Sequence, residues 1–306
     1  MEIGLALPTS TPHPRGDRLL GFARIADQGG LDSVWSIDRL VFPTAEALAT
    51  LAAAAAVTTR VKLGTDVLIS TTREPVQLAA QVATIDVLSN GRMLLGVGVG
   101  SRAEDYTAAG RDFHTRGRRM EQDVATMRRV WAGESVVDGF GPAGPRPVQA
   151  SIPILFGGSS DAALARGARL GAGHMCIPRG FARQAAMFEK FRAAWAAAGR
   201  TERPILYAGG YYCVDPSPER AQDRIMAYQA HYYGARQRQS GTPPDPAEFD
   251  LAGPAEKIGE AMVAYQGLGG DGLILFPASD DLAQAEAAVG AVRDAFIKAG
   301  GKVTSR

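Results

Sequence analysis

Along the chain, short runs of β-branched and aliphatic residues recur. Each is followed by a longer stretch in which apolar positions return every three or four residues. The short runs predict strands at 3–7, 33–37, 61–69, 92–97, 153–156, 174–177, 204–214 and 272–276. The longer stretches predict helices at 18–28, 44–58, 75–88, 116–131, 161–170, 183–198, 256–267 and 282–298. In the first helix Leu19, Leu20, Phe22, Ala23, Ile25 and Ala26 make a broad apolar face, and Gly29-Gly30 supplies a C-cap. Strand-helix alternation is the sequence form of a parallel sheet with crossover helices, and eight repeats predict an α/β fold of the (β/α)8 TIM-barrel class.

Two connections are too long for a minimal barrel, 98–152 after the fourth strand and 215–270 after the seventh. Both are insertions at strand carboxyl ends, where barrel enzymes place binding loops. The stretch 139–147, rich in Gly and Pro, reads as an irregular turn or hairpin tip, and 242–246 as a rigid loop between helices. Neither reads as a linker, so residues 1–306 are expected to form a single domain. The competing architecture is an open dinucleotide-binding sheet with Gly96-Val97-Gly98 as its fingerprint. The third glycine of that fingerprint is missing, since Ser101 stands there, and the helix that should open at once is expected to be delayed by Arg102, Ala103, Glu104, Asp105 and Tyr106.

Composition narrows the function classes. Thirty-three basic against 32 acidic side chains leave a net charge of +1, which gives no field for nucleic acid or an anionic membrane surface. Cys176 and Cys213, far apart and each in apolar surroundings, read as buried free thiols of a reducing compartment. The N-terminal segment carries Glu2 and an early Pro8, unlike a signal peptide, and the most apolar run, 47–57, is about half a membrane span. A cytoplasmic protein is expected, acting on a small-molecule substrate, with a homodimer as the expected assembly.

Several residues at predicted strand ends are candidates for chemistry. In Phe156-Gly157-Gly158-Ser159-Ser160-Asp161 two glycines and two hydroxyls precede a helix; such a turn brings backbone and helix-start N–H groups to a phosphate, or is simply a tight turn capped by Ser160 or Asp161. Asp66 stands among apolar residues and either faces the barrel mouth or has a structural hydrogen-bonding role. Asp38 and Arg39 end the second strand, where charge belongs to the site region or pairs within a loop. His13 and His114, on loops after the first and fourth strands, are candidate proton donors or plain surface residues. The four histidines lack metal-ligand spacing and there is no Cys-x-x-Cys, no nucleophile elbow and no Walker A motif, so no metal site is expected. Redox chemistry at such a mouth implies a borrowed cofactor.

Nearly the whole chain resembles the bacterial luciferase-like oxidoreductases, which use flavin or coenzyme F420. The resemblance is carried by 31–40, by 61–68, by 73–79, by the stretch from Ala83 to Gly100 that includes Asp86, Asn90, Gly91 and Arg92, and by the Gly157–Ser160 turn. It implies an isoalloxazine-type ring in the barrel mouth against a third-strand bulge, near Asp66, Val67 and Gly100, with phosphate at Gly157, Gly158, Ser159 and Ser160. In F420-using relatives the bulge often carries a cis peptide, and the matching bond is Asp66-Val67. Asp38 matches an acid many relatives place at the site. The residue after it is commonly His in relatives and is Arg39 here, so a role for that His does not carry over; Arg39 is instead suited to an anion. F420 hydride transfer is favoured, with a reduced-FMN monooxygenase or a non-catalytic flavin-binding barrel as alternatives. Arg179 and the cluster Arg111, Arg116, Arg118 and Arg119 are the expected partners of the acidic F420 tail, or a solvated helix start.

Overall fold

The computed structural model describes residues 1–176, 180–240 and 249–304, the side chains of 235–240 excepted. In chain order the strands are β1 (Glu2–Ala6), β2 (Ser33–Ser36), β3 (Lys62–Thr65), β4 (Leu68–Ile69), β5 (Met93–Gly98), β6 (Ile154–Gly157), β7 (Gly173–Met175), β8 (Ile205–Val214), β9 (Leu251–Gly253) and β10 (Gly272–Pro277). The helices are α1 (Gly16–Gln28), α2 (Ala47–Val57), α3 (Pro75–Leu88), α4 (Ala103–Ala108), α5 (Arg116–Trp131), α6 (Asp161–Leu170), α7 (Phe181–Ala197), α8 (Pro218–Ser240), α9 (Ala255–Gly267), α10 (Leu282–Ala287) and α11 (Arg293–Lys298). A π-helical turn, Ala288–Val292, joins the last two into the one helix the sequence pattern predicts.

Neighbouring strands run parallel in the order β1, β2, β3, β5, β6, β7, β8, and β10 closes the ring by pairing with both β8 and β1. The expected TIM barrel is the observed architecture. All eight expected strands are present. The run 61–69 is the one that breaks: β3 and β4 are separated by Asp66 and Val67, and β4 rejoins the sheet against Val97 and Gly98 of β5. The closing turn of the expected strand 174–177 falls partly outside the described residues.

Alternation of side chains across each strand sorts the core into two parts. Ile3, Leu5, Val34, Leu63, Leu95 and Phe156 pack outward under the helices. Ala6, Trp35, Leu94, Leu155, Met175, Tyr207 and Ile274 fill the barrel interior. Trp35 is the largest plug. A Cβ at Gly64 would lie 2.2 Å from its ring, its Nε1 donates to Ser33 Oγ at 2.8 Å, and Tyr207 meets it edge-on at 5.0 Å.

The first insertion holds α4 and α5, and among the described residues 132–153 contain no strand, so the hairpin reading of 139–147 gives way to an irregular loop. The helix expected to be delayed beyond Tyr106 opens at Ala103, because α4 is a separate short helix before α5. The second insertion holds the 23-residue α8 and β9, which pairs with Tyr212–Val214 at the outer end of β8. The proposed loop 242–246 lies outside the described residues. Cys176 and Cys213 are buried free thiols, as expected.

Candidate active site at the carboxyl end of the barrel

The break between β3 and β4 makes one wall of the barrel mouth. Its bond Asp66-Val67 is cis, at the position the family resemblance pointed to. The Val67 side chain lodges against two glycines from neighbouring strands: a Cβ at Gly98 would come within 2.6 Å of it and one at Gly157 within 2.9 Å. Ile69 occupies the same side, 3.1 Å from the Cβ position of Gly100, and its N–H donates to Asp38 Oδ2 at 2.9 Å. Asp38, Asp66, Gly100 and Gly157 are thereby tied together at the carboxyl ends of β2, β3, β5 and β6. Arg179, expected beside them, lies outside the described residues.

The two acids of this wall differ in surroundings. Asp38 is engaged: besides Ile69 N–H it accepts from Arg73 at 2.9 Å, and Arg73 also pairs with Glu46 at 3.0 Å. Burial pushes its carboxyl above the usual range, against the pull of Arg73. Asp66 is equally enclosed, yet among the described residues neither carboxyl oxygen has a hydrogen-bond partner. Burial pushes it up to about 8.

Arg39 is mostly enclosed rather than reaching into solvent. Its Nη1 donates to the Tyr232 carbonyl at 2.8 Å, and its guanidinium lies 4.2 Å from the Phe42 ring centroid and 5.0 Å from that of Tyr232. It fastens α8 to the loop after β2. Around it stands a set that the sequence reading missed, namely Tyr211 on β8 and Tyr228, Tyr232 and Tyr233 on α8. The Tyr211 and Tyr233 hydroxyls are 2.9 Å apart, and Tyr211 also packs on Tyr228 at 5.6 Å and Phe276 at 6.0 Å. Burial raises the phenols of Tyr211, Tyr228 and Tyr232. The signal was available: Tyr228 and Tyr232 are four apart on a helix, and Tyr207 and Tyr211 are four apart on a strand, so each pair shares a face.

The β6-α6 turn has the shape of an anion cradle. Gly158 has φ 114°, in the region that favours glycine, and Gly158, Ser159 and Ser160 are exposed. Ser160 is the N-cap of α6, accepting from Ala163 N–H at 3.3 Å, which leaves the other first-turn N–H groups without an intrahelical partner. Both expected readings of the turn, cap and cradle, are therefore compatible in one geometry.

The remaining candidates are dispersed. His13 (φ 56°) and His114 are exposed, and among the described residues no hydrogen bond, ion pair or ring contact ties either to the bulge. Of the arginines ahead of and within α5, Arg111 pairs with Glu74, Arg116 stacks 3.6 Å over Phe113 and Arg118 is exposed. Among the described residues no group of three or more potential metal ligands occurs, and no helix is long and apolar enough to cross a membrane.

A family model described as Luciferase-like monooxygenase matches residues 1–272. The chain belongs to this luciferase-like family. An uncharacterised protein of Mycobacterium tuberculosis is 34% identical over 178 residues, 56% of this chain and 62% of that protein, so the match spans less than two thirds of its length. An F420-dependent glucose-6-phosphate dehydrogenase of Amycolatopsis mediterranei is 37% identical over 128 residues, 39% of this chain and 38% of that one. The crystal structure of monooxygenase RslO1 from Streptomyces bottropensis superposes with a TM-score of 0.78 at 22% identity, over 97% of this chain and 99% of that chain. The family thus holds F420-dependent and flavin-dependent members. The luciferase-like barrel described above fits such a cofactor: the mouth offers an apolar wall at Val67, an unpartnered buried carboxyl beside it, and a glycine-serine turn with free helix-start N–H groups.

Proposed function

We propose that the protein is an F420-dependent oxidoreductase that moves a hydride between the deazaflavin and a small organic substrate. The observation that carries the choice is the segment 37% identical to an F420-dependent dehydrogenase, against 26% for the flavin-dependent relative. When bound, F420 supplies two-electron hydride chemistry at a ring carbon where flavin has nitrogen, and it reacts poorly with oxygen.

The chain's own residues bind and orient. Val67, held in place by Gly98 and Gly157, offers a flat apolar surface for the ring, and Gly158, Ser159 and the α6 start take the phosphate. Arg111, Arg116, Arg118 and Arg119 furnish positive charge for the acidic tail. The tyrosine set on β8 and α8 encloses the side of the mouth near Arg39 and excludes water there. The Tyr211-Tyr233 hydroxyl pair is able to pass a proton, and we assign it the proton-transfer role for which the exposed His13 and His114 are the candidates from the sequence.

A reduced-FMN monooxygenase is the second reading, favoured by the family description and by the RslO1 superposition. Titrating the purified protein with F420 and, separately, with FMN, following ligand fluorescence, tests the two. F420 binding at micromolar concentration or tighter without comparable FMN binding supports the hydride reading. Tighter FMN binding with oxygen-dependent turnover replaces it.

A further inference from the structure

Three other buried carboxylates of this barrel, Asp27, Asp86 and Asp38, are supplied with donors, whereas among the described residues Asp105 and Asp123 each keep one unpartnered oxygen. Asp27 accepts from the N–H groups of Thr59, Arg60 and Val61, and Asp86 accepts from those of Val148 and Gln149 and from the Gln149 side chain. Asp38 has Ile69 N–H and Arg73. Asp66 is 5% exposed, and among the described residues both of its oxygens are without a partner. Its place is fixed by its own N–H, which donates to Ser36 O at 2.9 Å, and by Val67 wedged between Gly98 and Gly157. An ionised carboxylate enclosed without donors is far more expensive than the protonated acid. The O–H that the protonated acid then carries is open to an acceptor supplied by a ligand.

We propose that Asp66 is a neutral carboxylic acid that donates a hydrogen bond to an acceptor on the cofactor's ring system, a ring carbonyl or ring nitrogen. The inference rests on the reading that a flavin-type ring lies against the Val67 wall, and it adds to that reading a specific polar contact. Among the described residues the surroundings favour the neutral form. Cys176, coupled to Asp66 from the end of β7, is itself held protonated by burial. Asp38, after β2, is engaged by Arg73, whose other guanidinium nitrogen pairs with Glu46. Among the described residues no cation is paired with Asp66, and burial is the cause of its rise to about 8. Asp66 is a positioning residue: it fixes the orientation of the ring and rewards the acceptor, and it loses that capacity on ionisation.

Infrared spectra of the cofactor-free protein provide a readout that needs no activity. A carbonyl band of a protonated carboxyl is expected in the wild type near neutral pH, lost above about pH 8 and absent from Asp66→Asn. Absence of an Asp66-dependent band overturns the proposal. Affinity for F420 and for FMN is then measured for wild type, Asp66→Asn and Asp66→Leu. Asn keeps a donor without a charge and is expected within about twofold of wild type near neutral pH, while Leu removes the donor and weakens binding of the working cofactor by about tenfold. Relative to Asp66→Asn, wild-type affinity falls as pH rises through about 8, because the ionised carboxyl has no proton to donate. Equal affinities of wild type and Asp66→Leu, or parallel pH profiles of wild type and Asp66→Asn, overturn the inference. If neither cofactor binds the wild type, it is the functional reading that fails, and the infrared band still reports whether Asp66 is neutral. Should Asp66→Leu not fold, the band and the wild-type to Asn pH comparison decide the matter.

Discussion

The polar residues that hold the amino end of the barrel contrast with those at its mouth. Asp27 gathers the N–H groups that lead into β3; Arg92 donates to Ala55, Thr58 and Val61 carbonyls; and Asp86, fully enclosed, accepts from Val148, Gln149 and, at 3.4 Å, Met93. These side chains take the place of water for backbone groups at strand starts. Removing one leaves several donors enclosed and unpaired, so Asp86→Ala is expected to lower stability by roughly 3 kcal/mol while leaving cofactor affinity unchanged. Urea unfolding together with a cofactor titration checks both halves. The stretch that most resembles the family, from Ala83 to Gly100, therefore does two jobs. Asp86, Asn90 (φ 56°), Gly91 (φ 81°) and Arg92 secure the amino end, and Gly98 and Gly100 shape the mouth. The sequence alone did not separate them, because an Asp committed to backbone N–H groups and an Asp left without partners are the same letter. Asp66 and Asp86 become different residues only when their surroundings are known.

At the level of elements, periodicity located what has a simple apolar face and failed where the face is mixed. The bounds of α3, α5 and α6 fall where the pattern puts them. α2 starts at Ala47 rather than Thr44, because Glu46 caps Ala49 N–H at 2.6 Å while Thr44 is taken by Ser10 and by Thr9 O. α8 was unread because its buried side chains are Ala221, Ile225, Tyr228 and Gln229, a face of which only Ala221 and Ile225 are aliphatic, and this lowers the apolar contrast on which the reading depends. Its anchor, Arg39, was read as a site charge; the structure adds a fastening role. Arg39→Ala is expected to cost about 1–2 kcal/mol through the lost carbonyl bond and ring contacts, and to speed amide exchange in residues 225–234 more than elsewhere. Uniform exchange across the barrel would contradict that. At the β6-α6 turn, Gly158→Val is a poor probe of phosphate binding, since φ 114° strains any side chain there. Ser159→Asp is the cleaner one: exposed, it leaves the melting temperature unchanged, and its charge weakens binding of a phosphate-bearing cofactor by about tenfold or more. Unaltered affinity in that variant would remove the turn from the site.

For the whole molecule, the enclosed titratable groups set how stability changes with pH. His174, buried and stacked 4.8 Å from Phe191, is pushed down from 6.5 to about 4 by burial. Between those values the unfolded chain holds a proton that the folded chain does not, so this residue makes stability fall as pH is lowered from 6.5 to about 4. Asp66 has the opposite sign. Its shift from 3.8 to about 8 means that the folded chain holds a proton the unfolded chain has released, so stability falls as pH rises through that interval. Asp123, raised to about 6 by burial, and Asp38, also raised by burial, act in the same sense as Asp66. Below 6.5 the His174 and Asp66 slopes offset each other. From 6.5 to about 8 that opposition is gone, and the wild type is expected to lose stability at about 1.4 kcal/mol per pH unit. Asp66→Asn has no proton to release and should be flat across that upper window. In the lower one, freed of the opposing slope, it should lose more stability on acidification than the wild type does. Urea midpoints for the two proteins at several pH values measure both differences. Parallel curves from pH 4 to 8 would mean that Asp66 is ionised in the folded protein and that its carboxylate has found a donor.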